Sequence, residues 1–170
     1  MTNPREKVLN ITNYIADGFA HVCDISVSST SAKWLYTNIC NELMFSDHTS
    51  WVYALTVDNI IYKIGESGNV LGYRPNTKNQ HPSASTKGRL SRYILGDGTD
   101  RYIREYLMPL ISNGAIVSFW AKQCDIVLQP INILGEITQV KQTVHKDLEI
   151  VYLDRISKTG DLPILNKVRK

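Results

Sequence analysis

The run Trp51-Val-Tyr-Ala-Leu-Thr-Val, then Asp58-Asn59, then Ile60-Ile-Tyr-Lys-Ile-Gly, constrains this chain more than any other stretch. β-branched and aromatic residues fill both arms. The dipeptide between them is one that tolerates the backbone of a tight turn. The run predicts an antiparallel β-hairpin.

The rest of the chain alternates around that hairpin. Before it, Val8, Ile11, Tyr14, Ile15, Phe19 and Val22 recur at helical spacing, with Pro4 near a first turn, and Gly18 weakens that helix locally. A Ser/Thr run at 27–31 breaks the pattern, and Trp34, Leu35, Ile39, Leu43 and Met44 predict a second helix. After the hairpin, residues 75–87 read as a loop, and 87–95 and 99–107 as helices, with Pro109 ending or kinking the second. Ala115–Ala121 reads as a third strand, 126–137 as short strands or irregular structure, and 145–156 as a last helix. The predicted fold is α+β: a small, mainly antiparallel three-stranded sheet flanked by helices. Residues 1–48 form an N-terminal helical extension in this reading, and 49–170 the main domain.

Composition narrows the class. Apolar residues are 43% and charged residues 21% of 170, the balance of a globular protein. The three cysteines form no CxxC pair, so a disulfide framework is not expected and a reducing cytoplasm is. No secretory signal and no run of membrane-spanning length is present. The formal net charge is only +3, but it is unevenly placed. Between Arg74 and Arg104 stand seven basic residues (Arg74, Lys78, Lys87, Arg89, Arg92, Arg101, Arg104) against two acids. Such a block is either a polyanion site, with Lys78, Arg89 and Arg92 as phosphate contacts, or a solvated helix face.

Glu149 stands in the otherwise apolar run Leu148-Glu-Ile-Val-Tyr-Leu. It is either a solvated helix flank or a buried carboxylate that needs a cation or hydrogen bonds. His145 lies one helical turn earlier and reads as a surface residue, although a His/Glu metal pair is geometrically allowed. No GxSxG, no closely spaced Cys/His pairs and no GK[ST] phosphate loop occur, so triad, structural-zinc and P-loop chemistry have no support.

Val52-Tyr53 followed by Lys63-Ile-Gly65 resembles the paired motifs that name the GIY-YIG nucleases. Arg74 in Gly72-Tyr-Arg, Glu149 on a late helix and Pro163-Ile-Leu-Asn166 follow in that family's order. Ser85-Thr-Lys87 and Phe119-Trp-Ala-Lys-Gln-Cys124 resemble the endonuclease II type of tailed phages. Lysine in the second tyrosine's place resembles small type II restriction enzymes of the same superfamily. The match spans residues 51–166. It departs from the family at Trp51, where a glycine is usual, and at Lys63, with Tyr62 beside it.

The resemblance implies a Mg²⁺-dependent (or Mn²⁺-dependent) endonuclease cutting duplex DNA, of phage or restriction type. Glu149 would hold the metal, Arg74 would bind the scissile phosphate, and Tyr53 would orient the attacking water and take its proton. A phenol in that role needs a nearby cation, and Lys63 and Lys87 are available; Lys87 reads equally as a plain phosphate contact. The alternative is a nucleic-acid-binding protein that keeps the fold without catalysis. Cutting both strands invites a homo-oligomer, for which the N-terminal helices are the candidate contact. A strict two-residue turn at Asp58-Asn59 would put Tyr53 and Lys63 on opposite faces. A shared site therefore predicts a three-residue or bulged turn around 57–60. Tyr53, Ile61 and Lys63 would then face the site, and Val52, Ala54, Ile60, Tyr62 and Ile64 the other, mostly buried side.

Overall fold

A computed structural model describes residues 8–28, 34–44, 50–68, 90, 93, 100–159 and 162–166. The described elements are strands β1 (Ala20–Val27) and β2 (Trp34–Thr37), a short helix α1 (Asn41–Met44), the hairpin β3 (Trp51–Val57) and β4 (Ile60–Ser67), and helix α2 (Asp100–Ser112). Strand β5 (Val117–Gln123), a second hairpin β6 (Ile126–Ile133) and β7 (Glu136–Thr143), and helix α3 (His145–Ser157) complete them. Five strands form one antiparallel sheet in the order β2-β1-β5-β3-β4, while β6 and β7 form a two-stranded sheet of their own.

The sheet is larger than the three strands expected, and among the described residues the two long N-terminal helices expected are not found. Residues 20–27 and 34–37 are strands that extend the sheet past β5. The helical spacing of Val8 to Val22 arises because two different elements supply it. Ile11–Tyr14 is a turn of 3₁₀ helix, and Gly18, at φ +97, reverses the chain before β1 begins. Among the described residues, the two helices offered as an oligomer contact are therefore replaced by these shorter elements and strands. Pro109 does not end α2, which runs on to Ser112.

Every residue of β3 is buried, which explains its unbroken apolar run: both faces of the sheet are covered. On one face, Trp51, Tyr53, Leu55 and Val57 pack with Phe119, Leu90, Tyr93, and with Ile103 and Leu107 of α2. On the other, Val52, Ala54 and Ile64 meet Ile11, Tyr14 and Phe19, and Tyr152 and Ile156 of α3. Edge-on contacts among Tyr14, Phe19 and Tyr152, at 5.3–6.1 Å between ring centroids, seat α3 there. The Arg155 guanidinium reaches Asp17 at 3.4 Å. Cys23 is buried within the sheet, and burial, with a smaller push from Asp24, raises its thiol pKa to about 12; the described cysteines are all free.

Candidate functional site

The β3–β4 turn is a two-residue one after all: Asp58 and Asn59 have φ of 49 and 67, the backbone of the hairpin turn their side chains favour. Val57 pairs with Ile60 and Thr56 with Ile61. The register then steps, and Leu55 pairs with Lys63, so Tyr62 is the extra residue of a bulge inside β4. That step puts Tyr53, Leu55, Lys63 and Gly65 on one face. The bulge lies in the strand, not in the turn. Two further assignments change with it. Ile61 packs on the opposite side, with Ile64, and Tyr62 packs on the Tyr53 side, its ring 6.3 Å from that of Tyr106.

Tyr53 lies opposite Gly65, and the pair is closely matched. A β-carbon placed on Gly65 would sit 2.3 Å from both Cζ and Oη of Tyr53. The phenol thus crosses the bare backbone of Gly65 and carries its hydroxyl to β4, the edge strand. Stacking on Phe119 at 4.9 Å fixes the ring, and the hydroxyl shares a 2.7 Å hydrogen bond with the Tyr93 hydroxyl. Lys63, on the same face, is only 8% exposed. A lysine this buried keeps its stem in the apolar layer and its charge in a low-dielectric setting, where it acts strongly on its neighbours.

Glu149 comes from the other face. It lies on the buried side of α3 with His145, Tyr152 and Ile156, and is 6% exposed, so it is not a solvated flank. His145 is buried too, contrary to its reading as a surface residue. Its Nε2 lies 3.2 Å from Glu66 Oε2, and its Nδ1 is buried without a hydrogen-bond partner among the described residues. The α3 helix packs chiefly on β4 and β3. The structure thus places Tyr53 and Lys63 beneath one face of the edge strand and Glu149 and His145 above the other. Arg74, Lys78, Lys87, Arg89 and Arg92 lie outside the described residues. Of the basic block, Arg101 pairs with Glu105 at 2.8 Å on the exposed side of α2.

Three contacts escaped the sequence reading: Tyr53–Tyr93, Glu66–His145 and Asn166–Ile64. Tyr93 had a signal, since Leu90 and Tyr93 stand three apart in a segment expected to be helical, and both are helical and buried. The Glu66–His145 pair had none, because nothing local joins positions so far apart. Asn166 had only its place in Pro163-Ile-Leu-Asn. Its side-chain amide donates to the Ile64 carbonyl and its carbonyl accepts from the Ile64 N–H, each at 2.8 Å. One amide side chain thus takes the part of a neighbouring strand at the open edge of β4, between Lys63 and Gly65.

Among the described residues, no three His, Cys, Asp or Glu side chains cluster as a metal cage. No protein-family model matches the sequence, and no curated protein matches it. Among solved structures, a mutant of bacteriophage T4 EndoII is similar, with a TM-score of 0.57 at 11% identity over 90% of this chain and 99% of that one. The restriction endonuclease HPY188I in complex with product DNA is also similar, with a TM-score of 0.45 at 19% identity over 94% of this chain and 84% of the other. This chain shares the overall fold of that EndoII structure.

Proposed function

We propose that this chain is a divalent-metal-dependent DNA endonuclease of the GIY-YIG type, with residues 49–170 carrying the chemistry. The observation that carries the reading is the Tyr53–Gly65 pair: a tyrosine lying across the glycine of the next strand, with Lys63 on the same face. The bare glycine lets the ring cross β4 and bring its hydroxyl towards the sheet edge, where Tyr93 meets it. The fold shared with EndoII supports the same reading.

In this proposal Tyr53 acts as the phenolate, held by a hydrogen bond donated from the Tyr93 hydroxyl; it orients a water at the edge of β4 and accepts its proton, becoming the neutral phenol and leaving hydroxide to attack. Lys63 supplies positive charge on that face. Arg74 forks onto the scissile phosphate, while Lys78, Lys87, Arg89 and Arg92 bind flanking phosphates. Glu149 is the carboxylate that would hold Mg²⁺ or Mn²⁺. Such an ion, when bound, supplies charge stabilisation at the phosphoryl oxygens and a more acidic water. The His145–Glu66 pair one turn away fixes the start of α3 and hence the direction of Glu149.

Incubation of supercoiled plasmid with and without Mg²⁺ tests the reading, and nicked or linear product only with the ion is expected. Glu149→Gln should abolish cutting and leave DNA binding intact, because the phosphate contacts are elsewhere. Binding without cutting by the unaltered chain, in either ion, would instead make it a non-catalytic DNA-binding protein.

A further inference from the structure

No residue of the site described above comes from the first 48, yet β2 is linked to it. Tyr36 pairs with Ile25 across the β1–β2 ladder and packs on the same core layer as Tyr53, so both lie on one face of the sheet. They stand well apart on it. In the order β2-β1-β5-β3-β4, three strand spacings separate β2 from β3, about 14 Å at a spacing of about 4.8 Å. Leu90 and Tyr93 join the two. Both are helical, one turn apart, and fully buried. The Tyr36 hydroxyl donates to the Leu90 carbonyl at 2.5 Å, and the Tyr93 hydroxyl meets that of Tyr53 at 2.7 Å. The Tyr93 ring stands edge-on to the Tyr53 ring, with centroids 6.4 Å apart.

One hydroxyl–carbonyl bond contributes little to the stability of a domain. Its effect on geometry is larger, because the carbonyl it holds belongs to the helical turn that carries Tyr93. A carbonyl has two lone pairs, so the Tyr36 hydroxyl can dock on it without taking a helical bond away. That contact ties the rotation and axial position of the turn to β2. At the other end, the Tyr53 ring is held by its stacking on Phe119 and by the close fit over Gly65. The distance between the Tyr93 and Tyr53 hydroxyls is thus set by two anchors on the same sheet face, one on each side of the gap.

We infer that Tyr36 is a positioning residue for DNA cleavage: its hydroxyl holds the Leu90 carbonyl and, through that turn, sets the Tyr93 hydroxyl against Tyr53. The inference rests on the nuclease reading above and extends it to a residue outside 49–170. Tyr36 acts on the hydrogen bond that Tyr93 donates to the phenolate form of Tyr53. A loosened bond stabilises that charged form less, so the base reaches its active form only at higher pH. Strands β1 and β2 then belong to the frame that aligns the base, and are not an appendage to it.

Tyr36→Phe in the full chain tests this, since it keeps the packed ring and removes only the hydroxyl. The kcat for plasmid nicking should fall by about tenfold with KM within about twofold, and the acid limb of the pH–kcat profile should move to higher pH. Tyr93→Phe should do the same more strongly. Because Tyr36 acts through Tyr93, the double variant should be no slower than Tyr93→Phe alone. An unmoved pH profile, or losses that simply add, would make Tyr36 a structural residue only and overturn the inference. A second readout needs no cutting. In a chain labelled with [¹³Cζ]-tyrosine, the Tyr53 resonance should titrate at higher pH in Tyr36→Phe than in the unaltered chain. An unchanged midpoint would overturn the inference whatever the plasmid shows. An unaltered chain that nicks nothing in Mg²⁺ or Mn²⁺ would sink the nuclease reading instead, and the titration would still decide whether Tyr36 sets the Tyr93–Tyr53 bond.

Discussion

Gly65 is the residue at which structure and chemistry are most tightly joined. An added methyl meets the Tyr53 ring at 2.3 Å, and the ring cannot retreat because Phe119 stacks on its other side. Gly65→Ala should therefore cost about 1–3 kcal/mol in stability, the range for overpacking a core. It should also lower cleavage by at least about tenfold, since a shift of the hydroxyl by an ångström is enough for that. Urea denaturation read beside plasmid nicking checks both; a variant that cuts normally would detach the hydroxyl from the chemistry. Asp24 is a second informative residue. Burial pushes its pKa up, but hydrogen bonds from Asn38 at 2.7 Å, Ser118 at 2.6 Å and His21 at 2.8 Å together outweigh that and hold it below the usual value. A depressed folded-state pKa adds stability that is complete above the unfolded value, about 3.9, and is lost as pH falls through the lower folded value. Asp24→Asn should thus flatten the acid limb of the pH–stability curve, with little change in its slope above pH 5.

At the scale of elements, Asn166 makes β4 an interior strand at one position. Asn166→Leu removes both bonds and leaves the buried N–H and C=O of Ile64 unpaired, at about 1–3 kcal/mol for each. A lower denaturant midpoint and faster exchange of the Ile64 amide are expected; unchanged exchange would mean that the edge is sealed by something else. The elements legible in the sequence were those whose own residues decide them. The β3–β4 hairpin, β5 and α3 each carry a clear period, and all stand where the pattern put them. The N-terminal strands did not, because Ile11, Tyr14, Phe19 and Val22 fall on a helical repeat by coincidence: the first three pack on one face of the sheet and Val22 on the other. The need for a bulge was legible, from the demand that Tyr53 and Lys63 share a face. Its position was not, since Asp58-Asn59 suits a two-residue turn so well that the extra residue is displaced into the strand. Tyr53 and Lys63 could be named from spacing, whereas the partners that fix them, Tyr93 and Asn166, depend on contacts between distant segments.

For the whole molecule, the basic residues between Arg74 and Arg104 contrast with a nearly neutral remainder. Should they bind phosphates, affinity for duplex DNA will fall steeply with salt. Neutralising Lys87, Arg89 and Arg92 together should then shallow the log–log salt slope by up to about three units, at roughly 0.9 per contact. Filter binding across a salt series reads this directly, and an unchanged slope would return those side chains to a solvated face. Among the described residues, no helix is long and apolar enough to cross a membrane.

The seal that Asn166 places on β4 also sets an order of events during synthesis. Strands β1 to β5 are all made before residue 123 is passed, yet the edge amide of Ile64 finds its partner only when residue 166 is added. Until then, a nascent or prematurely terminated chain displays a strand edge open to addition by another chain, while most of its sheet is already able to form. Chains ending just short of residue 166 should therefore be the insoluble ones, and chaperone capture should be strongest over that last stretch of translation.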